Sequence, residues 1–186
     1  MNEFARNELS RHLGAGEPLR WVGVPRQGLV LRASDAYLLP FGILWTVFVV
    51  FWELQVLSVN GPLLFKLWGI PFLLVGFYLL IGRFLVDSWH RTKTFYGLTD
   101  RRAIIVSGLF STSVASIALK SLPDITLKLR PDRSGSIFFG RPAFPVGWGR
   151  GLRWPGMGVY QPAAFEMIPN AQEVYDQVLK VQQSEK

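Results

Sequence analysis

Apolar positions are not spread evenly along this chain. They run almost without interruption from Ala36 to Val86 and thin out on either side. Two stretches in that region, Ala36–Leu57 (AYLLPFGILWTVFVVFWELQVL) and Leu67–Val86 (LWGIPFLLVGFYLLIGRFLV), each carry a single charged residue, Glu53 and Arg83. As helices rising about 1.5 Å per residue, each reaches roughly 30 Å, the thickness of a hydrocarbon core. Asn60-Gly61-Pro62, between them, is strong turn chemistry. The pattern predicts a transmembrane helical hairpin over residues 36–86. Pro40 and Pro71 fall inside it as irregularities that membrane helices tolerate.

After Val86 the period changes from helical to alternating. Lys93–Thr99 and Ala103–Ser107 are short β-branched and aromatic segments separated by Asp100-Arg101-Arg102, a hairpin signal. Val114–Leu119 predicts a third strand. Ile125–Arg130 (ITLKLR) alternates apolar and basic as a half-buried strand does, and Ser136–Gly140 answers it across the turn Pro131-Asp132-Arg133-Ser134-Gly135. Residues 141–164 are dense in Gly, Pro, Trp and Arg and read as a long loop. Asn170, followed by Glu173, reads as an N-cap. Apolar positions at Val174, Tyr175, Val178 and Leu179 then predict an amphipathic helix from about Ala171 to Gln182. The domain layout expected is an N-terminal arm (1–35), the hairpin (36–86) and a bent antiparallel sheet or partial barrel closed by a helix (87–186).

Strands closed by a helix, on a two-span hairpin, resemble the bacterial pleckstrin-homology-like (PH-like) domain family of membrane proteins. The residues carrying the resemblance are YGLTDRRAIIVSG (96–108), SIALKSLPDI (116–125), GSIFFG (135–140) and FEMIPNAQEVYDQVL (165–179). Upstream, GEPLRWVGVPRQG (16–28) is similar to the segment such proteins place before their first span. The resemblance implies an α+β PH-like fold on a membrane anchor and a binding or scaffolding role. It brings no substrate, no cofactor and no catalytic residues. PH domains elsewhere bind phosphoinositides through basic loops, but no residue-by-residue match carries such a site to this chain.

Charge adds orientation and partners. The 186-residue chain carries a net charge of +7, which suits an acidic partner such as an anionic membrane surface or nucleic acid. Lys and Arg crowd both flanks of the hairpin, whereas the connecting loop holds only Lys66. The positive-inside rule therefore places both termini in the cytoplasm, here of a bacterial inner membrane. Arg91 and Lys93, beside the second span, are expected within reach of anionic lipid, each worth about 1 kcal/mol. Arg133, on a turn expected to swing back to the bilayer, joins them as a lipid-surface candidate. A turn at Arg101 and Arg102 would stand about 20 Å out along a strand, well beyond a Debye length of about 8 Å. These two arginines are therefore candidates for a cytoplasmic protein partner, with Trp148, Arg150, Arg153 and Trp154 of the long loop. Glu53 and Lys66 are expected at the far side of the membrane as a charge pair, or as two side chains snorkelling to the interface.

Other chemistry is thinly represented. The absence of cysteine excludes disulfides and thiolate catalysis. His12 and His90 are far apart, and His90 with Asp87 makes only two ligands at helical spacing. GWGRG (147–151) lacks the strand, helix and Lys-Ser/Thr of a phosphate loop. Trp and Arg in the long loop suit single-stranded nucleic acid and fit a bilayer interface just as well; the plainest reading is a flexible or self-packed loop, with membrane or protein contact next and nucleic acid last. The expected reading is a membrane protein with a protein-binding or scaffolding domain, its partner another protein or a second copy of itself, without cofactor, metal or nucleic acid. The alternatives are an anionic-lipid sensor and a membrane enzyme or transport subunit using Glu53 and Lys66.

Overall fold

The computed structural model describes residues 2–32, 34–59, 62–108, 111–122, 124–140 and 162–184. They divide into two compact units. One takes the described residues of Met1–Gly28, Ser88–Ala143 and Val159–Lys186. The described residues of the other lie in Leu29–Asp87. Most of the long loop expected at 141–164 lies outside the described residues.

The first unit holds seven strands among its described residues: β1 (Leu19–Gly23), β2 (Phe95–Thr99), β3 (Arg102–Ser107), β4 (Ser113–Ala118), β5 (Ile125–Leu129), β6 (Gly135–Phe139) and β7 (Ala164–Ile168). Two helices accompany them, α1 (Asn2–Ser10) and α4 (Ala171–Ser184). β1 to β4 form one antiparallel sheet in chain order, and β5 to β7 form a second. The chain leaves β1, runs through the whole apolar hairpin and returns as β2, which pairs with β1 from Leu19↔Thr99 to Gly23↔Tyr96. The hairpin is thus an insertion in the first strand connection of this unit. Residues 1–35 are therefore not a separate arm: α1 and β1, within residues 2–23, belong to the sheet domain.

β2 and β3 explain why the apolar run there is nearly continuous. Both faces of these strands are covered, so alternation between polar and apolar is lost. On one face Ala5 and Leu9 of α1 pack against Phe95, Ile104 and Val106. Gly97 leaves room for this: a side chain there would press on Leu9 and Leu19. On the other face Tyr96, Leu98 and Ile105 join Ile137, Phe139, Phe165 and the inner stripe of α4, Ala171, Val174 and Val178. Fully buried Phe165 centres an aromatic cluster, with ring centroids 4.9 Å from Phe139, 5.0 Å from Tyr96 and 5.4 Å from Trp21. Truncating such a ring in a close-packed core costs about 3–5 kcal/mol. α4 starts where expected, but Asn170 adopts a left-handed conformation (φ 49°), which Asn tolerates, and its backbone carbonyl accepts from the Glu173 and Val174 amides.

The second unit is built from α2 (Asp35–Ser58) and most of α3 (Leu63–Thr92), each long and apolar enough to cross a membrane. Only 22% of the most apolar window of either helix is buried. The antiparallel contact runs along a narrow seam of small and polar residues. α2 buries Asp35, Leu38, Gly42, Val49 and Glu53 in it, at spacings of three, four and seven. α3 presents Gly69, Gly76, Leu79 and Arg83. Small residues at such a seam let two helix backbones approach closely. α3 is irregular at Trp68 and contains a π-turn, Tyr78–Gly82, before Arg83.

Candidate functional site

Asp100 and Arg101 turn the chain between β2 and β3, as expected from the charged tripeptide. The turn is tied to the segment just before β1. Thr99 Oγ1 accepts the amides of Arg101 and Arg102 at 3.2 and 3.1 Å and donates to Glu17 Oε1 at 2.8 Å. The Arg102 guanidinium grips the same carboxylate in a fork, Nε to Oε1 at 2.9 Å and Nη2 to Oε2 at 2.6 Å. It also donates to Ser116 Oγ at 3.0 Å and to the His12 carbonyl at 3.2 Å. Glu17 Oε2 accepts the Gly14 amide at 2.9 Å. The Arg102 fork, helped by the Gly14 and Thr99 donors and opposed by burial, holds the Glu17 carboxyl at about 2, against an ordinary value of 4.5. Arg20 pairs with Asp100 on the same turn. Arg101 is exposed. An open concavity of about 520 Å³ lies between residues 14–18 and this turn.

A second polar cluster marks where the chain leaves the sheet domain for the hairpin and returns. Arg91 is buried (5% exposed), and its guanidinium donates to the carbonyls of Gly28 at 2.5 Å and Arg26 at 3.2 Å. Met167 Sδ lies 3.7 Å from the same side chain. The Arg26 amide donates to the Met167 carbonyl at 2.9 Å, fixing this outgoing segment to β7. Arg26 Nη1 reaches Asp132 Oδ2 at 3.0 Å, and the Ser134 hydroxyl, with Arg26 adding to it, holds Asp132 below the usual carboxylate range. The expectation that Arg91 faces lipid is therefore corrected: residues 26–28 fold over it and take its hydrogen bonds. Lys93 is exposed, and so is Arg133, which sits in the turn with φ 60°.

Within the hairpin unit the polar groups sit at the two ends of the seam. Arg83 Nη1 lies 2.9 Å from Asp35 Oδ1, both side chains being 8% exposed. The pair is close in distance, but none of the Arg83 nitrogens is aligned for a hydrogen bond. Phe84 stacks over the guanidinium at 4.5 Å. Asp35 Oδ2 accepts the Arg32 amide at 2.6 Å, and Arg32 Nη2 reaches Asp87 Oδ1 at 2.7 Å. At the other end Glu53 is 9% exposed, and its Oε2 is buried without a hydrogen-bond partner. The seam register sets Gly69 opposite it, so closely that a Cβ at Gly69 would overlap the carboxylate. The pair expected between Glu53 and Lys66 is not among the ion pairs of the described residues. Counting outward from Gly61 put Lys66 level with Glu53, whereas the helices meet with Gly69 at that level.

The structure thus brings Arg101 and Arg102 to one turn but commits Arg102 to Glu17. It separates Arg91 from Lys93 by turning the first inward. Trp148, Arg150, Arg153 and Trp154 lie outside the described residues. Sequence reasoning missed Glu17 and the Asp35–Arg83 pair. Arg83 was a usable signal, a lone arginine inside an apolar span that demands a buried acid. Among the described residues, no three His, Cys, Asp or Glu side chains gather into a metal-holding group. No protein-family model, curated protein or solved structure matches the sequence.

Proposed function

We propose that the chain is an integral protein of a bacterial inner membrane, anchored by α2 and α3, whose sheet domain is a PH-like module that binds a protein partner or organises a membrane assembly. The observation that carries the reading is the insertion: an apolar hairpin of spanning length interrupts β1 and β2 of an otherwise water-facing domain. A hairpin with lipid-facing side chains such as Phe48, Phe51 and Leu74, all more than 60% exposed, gains by entering a bilayer. The four-plus-three antiparallel strands with a closing C-terminal helix support the PH-like assignment. The charged groups flanking the hairpin support cytoplasmic termini. Arg101, exposed beside the open concavity, is the residue from which contact with a partner is expected.

The test is a topology reporter fused after Lys186, combined with a photo-crosslinking residue at Arg101 in native membranes. A cytoplasmic reporter signal and a discrete protein adduct at position 101 are expected. A periplasmic signal, or adducts with lipid alone, would overturn the reading.

A further inference from the structure

Among the described residues the two sheets have four lateral edges, and three of them are guarded. β1 carries a bulge between Leu19 and Trp21, with Arg20 on it. β7 receives the Arg26 amide at Met167, whose own φ of 50° bends the strand away from regular pairing. β5 carries the exposed Lys128, and the Tyr175 hydroxyl approaches its first carbonyl, that of Ile125. Lysine, bulges and cover are the devices by which native sheets keep edges from pairing.

β4 has none of them. Its sequence, Ser-Val-Ala-Ser-Ile-Ala, has no charge and no proline. It pairs in unbroken register with β3, from Arg102↔Ala118 to Ser107↔Ser113, and with no other strand among the described residues. Ala115 and Ile117 pack on the core, whereas Val114 is 41% exposed and Ser116 and Ala118 face solvent. Ala103 to Leu119 contains no charged residue, and Arg102, whose guanidinium reaches Ser116 Oγ, is neutralised by its fork to Glu17, so two copies of a chain of net charge +7 can meet here without opposing uncompensated like charges.

We propose that β4 pairs antiparallel with β4 of a second copy, about a two-fold axis through Ser116, joining two four-stranded sheets into one. The side-chain period of two requires this kind of register, because opposite residues must share a face. Ser116 then meets its own counterpart, Val114 faces Ala118 of the second copy, and Ile117 faces its Ala115. Every pair is apolar or hydroxyl. The proposal rests on the membrane reading in one respect: sharing a bilayer raises the encounter rate of two copies.

The chain has no cysteine, so a single introduced thiol reports only on itself. Opposite Cα atoms in an antiparallel pair stand about 4.5–5.5 Å apart, within disulfide reach. Ser116→Cys in the full-length chain, in membranes under mild oxidation, is expected to give a disulfide dimer of the chain with itself. Lys180→Cys, on the exposed side of α4, is expected to give none. Adding Val114→Lys to the Ser116→Cys chain is expected to abolish the dimer, and the exposed position leaves folding intact. Absence of the Ser116→Cys dimer, equal crosslinking from Lys180→Cys, survival of the dimer with Val114→Lys, or capture of a different protein at position 116 would each overturn the pairing. Alkaline carbonate extraction of the same membranes separates the two readings. A chain released by carbonate contradicts the anchor, while the Ser116→Cys result still decides the pairing.

Discussion

Replacing Glu17 with Gln removes one negative charge and keeps the shape of the side chain. In the native protein this carboxylate is forked by Arg102 and takes further hydrogen bonds from Thr99 and Gly14, which holds its pKa at about 2 rather than 4.5. Such a drop corresponds to about 3.4 kcal/mol of stabilisation at 1.36 kcal/mol per pH unit. Glu17 lies at the rim of an open concavity, where water screens the pair, and about half of that, roughly 1.5–2 kcal/mol, is the expected loss. The sign follows from the lowered value. The stabilisation is fully present above about 4.5 and is lost as pH falls through about 2. Chemical unfolding of the full-length chain in detergent micelles, followed at pH 7, 4 and 3, measures it. Glu17→Gln is expected to be less stable than the native chain at pH 7, and the gap should narrow steadily toward pH 3. A gap that is constant with pH, or widens in acid, would refute the reasoning.

Arg91→Met should cost about 2–4 kcal/mol in the same assay, because the Gly28 and Arg26 carbonyls lose a buried donor; Arg91→Lys should recover part of that. If Arg91 instead faced lipid, both changes would leave stability almost untouched and alter only vesicle binding. In nanodiscs, Arg83→Gln alone should destabilise the hairpin by about 3–5 kcal/mol, since Asp35 is left as an uncompensated buried charge. Asp35→Asn combined with Arg83→Gln should cost less than Arg83→Gln alone, and thermal unfolding of the helical signal gives the comparison. Additive losses would show that the two side chains do not interact.

The hairpin and the later strands were legible because their signals are local. Continuous apolarity marks 36–86, and alternation marks Ile125–Leu129 without reference to any distant residue. The β2–β3 turn was legible from Asp100-Arg101-Arg102 between two apolar runs. β1 was not, since Leu19–Gly23 is five residues between prolines whose partner, β2, lies some seventy residues on, across both spans. Its register depends on Trp21 reaching Phe165 and on Gly97 admitting Leu9 and Leu19, neither of which has a signature in the local pattern. β7 was hidden for a related reason: FEMI sits against a Gly- and Pro-rich stretch and reads as its end. The candidate site residues fared by the same rule. Exposure of Arg101 and Lys93 follows from their local setting. The burial of Arg91 follows from residues 26–28, more than sixty positions earlier in the chain, and no window around Arg91 contains them.

The domain boundary changes as a result. A fragment beginning after the second span lacks β1 and α1, and so exposes Leu98 and Tyr96 at one edge and Phe95, Ile104 and Val106 on one face. A sheet domain interrupted by the apolar hairpin also has the two chain crossings tied to each other, by Arg91 on the Gly28 and Arg26 carbonyls and by the Arg26 amide on the Met167 carbonyl.

The central claim, that residues on both sides of the hairpin make one domain, has a direct test. Residues 1–28 are joined to 88–186 by a short Gly-Ser linker, omitting 29–87, and the product is compared in urea unfolding with residues 92–186 alone. The spliced chain is expected to be soluble and to unfold cooperatively, and the fragment to aggregate or unfold without a sharp transition. Cooperative unfolding of residues 92–186 alone, with the same midpoint as the spliced chain, would contradict the account.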